Sequence, residues 1–249
     1  IERAASSGDW TTVRNTLPSL RTAIQRVGSF GVKERGYEVI RRLRRLARPT
    51  GLMVAFLGTD GAGKSAVIDR VLNDLLPAFR QTAYFHLRPN IGRRRDGRSP
   101  VSTPHGMPLR SPAISVIKLA YYGLQYSVGY LLHIRMLLVR STLVGFDRYA
   151  HDAVVDPKRY RYGGPKWWAG LVAAMAPRPD ILILLDAPAS VTCARKGEVD
   201  EAEAARQRRA YRELVADLPY GLVIDAAQPL ETVVSGVERH ILGFLARRT

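Results

Sequence analysis

Cysteine, acidic residues and long apolar runs are all scarce in this sequence of 249 residues. The single cysteine, Cys193, cannot form an internal disulfide bond, so nothing indicates an oxidising compartment and we expect a cytoplasmic protein. No run reaches the roughly 20 apolar residues of a membrane-spanning helix. The longest candidate, residues 119–132, lies between Lys118 and His133, and we predict that it is a buried helix.

Acidic residues number 22 against 38 lysines and arginines, which gives a formal net charge of +16. This excess predicts an anionic partner. Its densest clusters are the segments 39–49 and 87–98. A nucleic-acid-binding protein, an enzyme with two phosphorylated substrates and a protein that rests on an acidic membrane surface all fit this charge, so other features of the sequence must decide.

The sequence divides into a basic N-terminal segment and a larger domain. Residues 9–27 and 36–48 have helical spacing of apolar residues, and the stretch "RPTG" at 48–51 then breaks the pattern. We therefore predict a helical segment over residues 1–49 and one domain over residues 50–249. The sequence begins with Ile1 rather than methionine, so the first segment is a candidate for the end of a missing upstream domain.

The larger domain alternates strand-like and helix-like stretches. Short apolar runs occupy residues 52–58, 83–87, 142–147, 180–186 and 221–226. Helical patterns between them cover residues 67–76, 113–140, 166–176, 202–217 and 229–246, and residues 90–112 read as a long loop rich in Pro, Gly and Arg. Alternation of this kind predicts an α/β fold in which helices cover both faces of a five-stranded, mostly parallel sheet.

The stretch "FLGTDGAGKSAV" at 56–67 matches the phosphate-binding pattern GxxxxGK followed by serine. It comes directly after an apolar strand and opens a helix, so backbone N–H groups and the positive end of the helix converge on phosphate oxygens. Lys64 supplies a positive charge to the terminal phosphates, and the Ser65 hydroxyl reaches Mg²⁺. The predicted ATP-binding residues are Gly58, Asp60, Gly61, Ala62, Gly63, Lys64, Ser65 and Ala66.

A second polar group, "GFDRYAHD" at 145–152, follows another strand. Ligands bind at the carboxyl ends of strands in open parallel sheets, so we interpret Asp147 as a Mg²⁺ ligand and Arg148 as a bidentate grip on an acceptor phosphate. A purely structural Asp–Arg pair is the alternative. Further along, Arg195 and Lys196 are candidates for a lid over the transferring phosphate, and Asp186 is either a metal contact or a turn residue.

Over residues 52–246 the sequence resembles the thymidylate kinases among the nucleoside monophosphate kinases. The resemblance rests on "GTDGAGKS", "LRP" at 87–89, "DRY" at 147–149, "PDILILLDAP" and the C-terminal stretch from Ala210. It implies a three-layer P-loop kinase fold, ATP with Mg²⁺ as phosphate donor and a phosphorylated acceptor. It also implies that Asp60 meets an acceptor hydroxyl, that Arg88 and Arg148 meet the acceptor phosphate, and that Tyr149 belongs to the acceptor site.

Departures from the family concern the acceptor. Thymidylate kinases continue DRY with a Ser and an Ala-Tyr-Gln stretch that helps to read the base, whereas this sequence continues with "AHDAVVDPKRYRYGGP". Lys158, Arg159 and Arg161 occupy the region where the family reads its base. We therefore expect an anionic acceptor other than dTMP. The alternatives are dTMP itself, or a sugar or glycolipid of polysaccharide synthesis.

A nucleic-acid-binding ATPase is the remaining, less favoured interpretation. The sequence lacks the interleaved aromatic and basic residues of RNA-binding sheets, and no strand pairs its terminal aspartate with a glutamate that could activate water. Peripheral membrane contact through the basic residues 41–48 and a dimeric state stay open at this point.

Overall fold

The computed structural model describes residues 46–89, 108–196 and 199–248. The helices predicted at 9–27 and over most of 36–48 lie outside these ranges, as do residues 90–107 of the predicted loop. The sheet belongs to a compact unit that runs from Arg48 to Thr249. No helix within the described ranges is long and apolar enough to cross a membrane.

Five parallel strands form a single sheet in the order β2–β3–β1–β4–β5. Their bounds are β1 Leu52–Leu57, β2 Gln81–His86, β3 Thr142–Asp147, β4 Ile181–Asp186 and β5 Gly221–Asp225. Every residue of β1 and β3 is buried, while the edge strands β2 and β5 are partly exposed. The structure confirms the predicted α/β fold and its five strands.

Helices cover both faces of this sheet. Those of the described residues are α1 Lys64–Asp74, α2 Pro112–Gly129, α3 Arg135–Val139, α4 Asp152–Val155, α5 Lys166–Met175, α6 Ala189–Arg195, α7 Glu201–Ala216 and α8 Leu230–Arg248. A 3₁₀ turn, Leu76–Ala78, follows α1, and one π-helical stretch, Tyr130–Ile134, joins α2 to α3. The sequence pattern predicted one continuous helix over 113–140, and the π-helical stretch is the departure from it.

Alternation along the central strand separates two hydrophobic cores. Leu52, Val54 and Phe56 of β1 pack with apolar residues of α1 and α8 on one face of the sheet. Met53, Ala55 and Leu57 point to the other face, where side chains of α3 and α7 cover them. Because the strands are parallel, their carboxyl ends lie at one edge, and the predicted functional residues after β1, β2 and β3 meet there.

The prediction that residues 119–132 form a buried helix is wrong for one of its faces. Leu119 and Tyr126 are buried, but Leu124, Leu131 and Leu132 are 60 to 66% exposed. Apolar content alone cannot tell a helix that is buried all round from one that is covered on one side only.

Candidate active site

The loop between β1 and α1 has the backbone conformation of a phosphate cradle. Three of its glycines have positive φ angles, 143° at Gly58, 84° at Gly61 and 83° at Gly63. A Cβ atom on Gly61 would lie 2.4 Å from the carbonyl oxygen of Thr192 in α6, so this position has no room for a side chain. The chain then enters α1 at Lys64, and the free N–H groups of the first helical turn face the loop.

Lys64 is buried at the centre of this loop. Its Nζ donates hydrogen bonds of 2.8 Å to the carbonyl oxygens of Gly58 and Thr59. Burial, helped by the positive charge of Arg148, lowers the pKa of Lys64 from 10.5 to about 7. An ammonium group that is poorly compensated in this way is a favourable site for an anionic ligand, because the ligand restores the missing charge balance.

Asp147 ends β3 and lies opposite Ser65 of the loop. The Ser65 hydroxyl donates to Asp147 Oδ2 at 3.2 Å, and the Tyr84 hydroxyl donates to the same oxygen at 3.0 Å. Burial would raise the pKa of Asp147, but the neighbouring His86 and the positive charges of Lys64 and Arg148 outweigh it and lower this pKa to about 2. The carboxylate is therefore ionised throughout the physiological pH range.

The surroundings of Asp147 fit a magnesium ion. Its Oδ1 is buried and has no hydrogen-bond partner, whereas the Ser65 hydroxyl contacts Oδ2 of the same carboxylate. Within the described ranges no group of three or more His, Cys, Asp and Glu side chains could hold a metal by itself. Magnesium in phosphate-transferring sites is typically bound by one or two protein oxygens together with phosphates and water, so this small set is sufficient.

Asp60, also in the loop, is bridged by two arginines. Its Oδ1 accepts a hydrogen bond from Arg148 Nη2, and its Oδ2 lies against Arg159 Nη2. Arg159 also contacts Asp156 at 3.3 Å, and Arg148 contacts Asp152 at 2.7 Å. The five side chains form one network of alternating charge that joins the loop to the segment after β3.

Asp152 anchors this network in the protein interior. Its side chain is fully buried, and its Oδ1 accepts a hydrogen bond of 2.8 Å from the Tyr211 hydroxyl of α7. Burial opposes the charged form of Arg148, but the adjacent Asp152 more than compensates, so the pKa of Arg148 is raised above its ordinary value. Arg148 has a positive φ of 73°, a strained conformation for an arginine, and the network holds it there.

Arg88 enters the site from the end of β2. Its guanidinium lies 4.0 Å from the centre of the Tyr122 ring, and its Nη1 donates a 2.5 Å hydrogen bond to Gln125 Oε1, both on α2. The preceding Leu87 has a positive φ of 66°, and its carbonyl oxygen accepts a hydrogen bond from the Tyr126 hydroxyl. Two residues of α2 thus orient the arginine, and a third fixes the backbone just before it.

A pocket of about 270 Å³, its open mouth included, lies between Arg88 and the DRY segment. Its polar or aromatic lining comes from Arg88, Tyr122, Tyr126, Tyr149 and Tyr160, and the rest of the wall is aliphatic. The Tyr149 hydroxyl donates a hydrogen bond to the carbonyl oxygen of Pro177, so the ring of Tyr149, and not its hydroxyl, is available to a ligand in the pocket. By contrast, the Tyr160 hydroxyl is buried and has no hydrogen-bond partner.

The loop and DRY residues predicted from the sequence therefore lie together, with Ala62 buried and Ala66 exposed at the start of α1. Arg195 is not part of this group of contacts. Its exposed side chain donates a hydrogen bond to the carbonyl oxygen of Ala226 at 3.4 Å. The charge of Lys196 contributes to the lowered pKa of Lys64, which puts it on the side of the phosphate loop. That Arg195 and Lys196 act as lid residues stays a prediction.

Two of the three cations expected to read the acceptor lie elsewhere. Arg161 Nε donates to the carbonyl oxygen of Pro108 at 2.9 Å, and exposed Lys158 acts on Glu203 at the start of α7. Only Arg159 faces the loop, through Asp60. Asp186 makes two hydrogen bonds with Arg208, at 2.6 and 2.8 Å, which favours a structural role for that carboxylate.

Sequence reasoning missed Tyr160, Tyr211 and Asp152. The spacing of Arg148 and Asp152, four residues apart with α4 beginning at Asp152, was a usable signal for their ion pair. Nothing in the sequence indicated Tyr211, because its contact with Asp152 joins residues 59 positions apart.

Comparison with known proteins gives several relatives of one kind. The chain is 29% identical over 209 residues to a thymidylate kinase of Xylella fastidiosa, covering 75% of this chain and 85% of that protein. It is 28% identical over 210 residues to a thymidylate kinase of Lacticaseibacillus casei, covering 75% and 92%. A probable thymidylate kinase of Methanothermobacter thermautotrophicus is 30% identical over 156 residues, 61% of this chain and 73% of the relative. No family model matches the sequence.

Fold, phosphate loop and relatives agree. The five-stranded parallel sheet carries the loop at its carboxyl edge, where Asp147, the last residue of β3, contacts Ser65, and Arg148, which follows it, contacts Asp60. The chain therefore belongs to the thymidylate kinase family, as a P-loop phosphotransferase of the nucleoside monophosphate kinase type.

Proposed function

We propose that this enzyme transfers the γ-phosphate of ATP, with Mg²⁺, to an anionic phosphorylated small molecule other than dTMP. The attacking atom is an oxygen of the acceptor phosphate, a new O–P bond forms to the γ-phosphorus, and the bond to the β-phosphate breaks, so that ADP leaves. Little covalent chemistry is required of the protein in such a transfer, and positioning and charge do most of the work.

The donor half of the site follows from the phosphate loop. Backbone N–H groups of residues 58–66 bind the phosphates, and Lys64 Nζ turns from the carbonyl oxygens of Gly58 and Thr59 to the terminal phosphates. Ser65 and Asp147 hold Mg²⁺, which neutralises charge on the phosphate oxygens when it is bound. The unpartnered Oδ1 of Asp147 supports this assignment.

The acceptor half consists of arginines and tyrosines. Arg88, which lines the pocket, and Arg148, which directly precedes the lining residue Tyr149, bind the acceptor phosphate, while the tyrosine rings contact the body of the molecule. Asp60 accepts a hydrogen bond from an acceptor hydroxyl. To accept this hydrogen bond, Asp60 must break its ion pair with Arg148 or Arg159. The acceptor phosphate, as a competing anion, then binds that arginine.

The observation that carries the choice of acceptor is the second arginine on Asp60. Arg159 adds a third guanidinium group to Arg88 and Arg148 on the acceptor side, and its side chain is only 18% exposed. An anion that displaces Asp60 forms ion pairs with Arg159 as well as with Arg148. This arrangement favours an acceptor with a second anionic group, and a sugar phosphate that carries a further charge meets that requirement.

dTMP is the second candidate, and the tyrosine-lined pocket favours it. Tyr122, Tyr126, Tyr149 and Tyr160 offer ring faces and edges against which a flat base can stack. The relatives are named thymidylate kinases, which supports the same candidate.

A panel of acceptors separates the two candidates. ATP consumption is measured with dTMP, other nucleoside monophosphates, and sugar phosphates with and without a carboxylate. We expect the highest kcat/KM for a sugar phosphate with a second anionic group and weak or no activity with dTMP. A kcat/KM for dTMP of about 10⁴ M⁻¹s⁻¹ or above would establish dTMP kinase instead.

Arg159→Gln tests the role of the third guanidinium, and Arg161→Gln is its matched control. With the best acceptor, Arg159→Gln should lower kcat/KM about tenfold or more, since one charge-assisted contact is lost. Its KM for ATP should stay unchanged. Arg161→Gln should stay near wild type, because Arg161 faces Pro108. Equal effects of the two variants would refute a role for Arg159 in acceptor binding.

A further inference from the structure

The wall of the tyrosine-lined pocket contains a hydroxyl group that no other part of the described chain binds. Tyr160 lines the pocket, and its hydroxyl is buried without a hydrogen-bond partner among the described residues. Tyr126 and Tyr149 line the same pocket, but their hydroxyls donate to the backbone carbonyl oxygens of Leu87 and Pro177. Of these three tyrosines, Tyr160 is therefore the one whose hydroxyl is left for a ligand.

A buried hydroxyl without a partner destabilises the folded chain, because the group loses its bonds to water and gains none in return. Most buried polar atoms in proteins do have a partner, so an exception calls for a physical reason. A ligand that brings an oxygen atom to the Tyr160 hydroxyl supplies the missing bond. The free energy lost on folding is then recovered on binding.

Backbone contacts fix the position of Tyr160. Its N–H donates to the carbonyl oxygen of Pro157 at 3.1 Å, and its own carbonyl oxygen accepts a hydrogen bond of 2.9 Å from Arg110 Nη1. Three residues later, the N–H of Gly163 donates to Ser115 Oγ of α2 at 3.0 Å. The segment that carries Tyr160 is thus held in place before a ligand arrives, which lowers the entropic cost of binding.

The charges near the Tyr160 hydroxyl favour an anion. Burial, strengthened by the negative charge of Asp152, raises the pKa of Tyr160 well above its ordinary value, so the hydroxyl stays protonated and acts as a donor. The positive charges of Arg148 and Arg159 act on this pKa in the opposite direction. The hydroxyl therefore lies within electrostatic reach of the two guanidinium groups that pair with Asp60. A neutral donor near two cations suits an oxygen that carries negative charge.

We infer that the Tyr160 hydroxyl donates a hydrogen bond to an anionic oxygen of the acceptor, which makes Tyr160 a specificity-determining residue. This inference rests on the proposed transfer of phosphate to an anionic acceptor. The oxygen belongs either to the acceptor phosphate, between Arg88 and Arg148, or to the second anionic group assigned to Arg159. Tyr160 lies in the stretch after DRY in which the sequence departs from the thymidylate kinases.

Binding of small anions to wild type and to Tyr160→Phe tests the inference. Glucose 1-phosphate, glucuronic acid 1-phosphate and dTMP are each titrated calorimetrically into the full chain without ATP, so the result does not depend on phosphate transfer. Tyr160→Phe should bind glucuronic acid 1-phosphate at least about tenfold more weakly, since a hydrogen bond to a charged group is lost. An equal loss for glucose 1-phosphate would assign the hydroxyl to the phosphate, and a loss confined to glucuronic acid 1-phosphate would assign it to the carboxylate.

The dTMP titration separates this inference from the proposed acceptor class. Wild-type protein that binds dTMP but neither sugar phosphate would contradict the proposed acceptor. A tenfold loss of dTMP binding in Tyr160→Phe would then still support a contact between the hydroxyl and an anionic oxygen, that of the nucleotide phosphate.

Thermal unfolding without ligand distinguishes a binding role of the hydroxyl from a structural one. Tyr160→Phe removes a hydroxyl that has no partner, so its Tm should equal or exceed that of wild type. Tyr162→Phe is the matched control, because the buried Tyr162 lies outside the pocket and its hydroxyl donates to the carbonyl oxygen of Pro165 at 2.9 Å. This control should lower the Tm by about 2–4 °C and leave the affinity for every probe within about twofold of wild type.

Three results would overturn the inference. A Tm that falls as far in Tyr160→Phe as in Tyr162→Phe would show that the hydroxyl is already bonded in the free protein. Unchanged affinity of Tyr160→Phe for each probe that wild type binds would show that the hydroxyl does not contact the acceptor. Wild-type protein that binds none of the three probes would contradict both the inference and the proposed acceptor class.

Discussion

The two halves of the proposed active site, for the phosphate donor and for the acceptor, are built in different ways. The donor half comes almost entirely from one stretch, residues 58–65, with Asp147 added from the neighbouring strand. The acceptor half is assembled from the end of β2, the inner face of α2, the DRY segment and the loop at 156–160. The first half depends on backbone geometry, and the second depends on ion pairs and rings that distant segments bring together.

This difference separates chemistry from specificity. A phosphate cradle of backbone N–H groups needs glycine at a few positions and a helix that follows, and it serves any nucleotide triphosphate. The acceptor half can exchange side chains without disturbing that cradle, because its residues lie on other elements. A family can therefore keep phosphate transfer and change the molecule that receives the phosphate.

The largest effect should come from the donor half. Lys64→Ala removes a positive charge from the transferring phosphate, a contact worth about 3 kcal/mol or more in the transition state, so turnover should fall at least about a hundredfold with every acceptor. Steady-state assays with each active acceptor measure it. Asp69→Ala, on the exposed side of the same helix, should keep wild-type turnover. More than about a tenth of wild-type turnover in Lys64→Ala would contradict the assignment of the phosphate loop.

The sequence predicted the sheet and the position of the phosphate loop between β1 and α1 well, because both are encoded locally. A buried parallel strand is an unbroken apolar run, and β3 lies at the predicted residues 142–147. The acceptor half could not be predicted in the same way. Residues 158, 159 and 161 read as three equivalent cations, yet the chain turns between them, with a positive φ of 52° at Arg161, and only Arg159 faces Asp60.

Gly61→Ala should have the next largest effect, and Gly63→Ala is its matched control. Both glycines have φ near 84°, which costs a residue with a Cβ about 1–2 kcal/mol. Only at Gly61 does the new Cβ also approach backbone, 2.4 Å from the Thr192 oxygen, whereas nothing lies within 4 Å at Gly63. We expect Gly61→Ala to lower the free energy of unfolding by about 3 kcal/mol and Gly63→Ala by half of that or less. Chemical denaturation measures the free energy of unfolding of both variants. Equal losses would show that α6 can shift to accommodate the new Cβ atom at no cost in stability.

Tyr211→Phe probes the support of the acceptor half. It removes one hydrogen bond from the fully buried carboxylate of Asp152, which should cost about 1–3 kcal/mol of unfolding free energy. Because Asp152 holds Arg148, kcat/KM for the acceptor should also fall while the KM for ATP stays constant. Tyr220→Phe, a partly exposed ring near the end of α7, should change neither quantity. A rise in the KM for ATP in Tyr211→Phe would mean that the two halves are not independent.

The smallest effect should follow removal of residues 1–47. We propose that the kinase domain is complete without them, because Pro49 and Gly51 at its start are hydrogen-bonded to its own helices α8 and α3. Arg248 donates to the carbonyl oxygens of Pro49 and Gly51, at 2.6 and 3.1 Å, and Gly51 N–H donates to Leu138 at 2.8 Å. A chain that starts at Arg48 keeps all three contacts, so its affinity for ATP, measured by titration calorimetry, should stay within about twofold of the full chain. Its thermal unfolding should remain cooperative. Broad, non-cooperative unfolding of the shortened chain would show that the N-terminal segment is part of the kinase core.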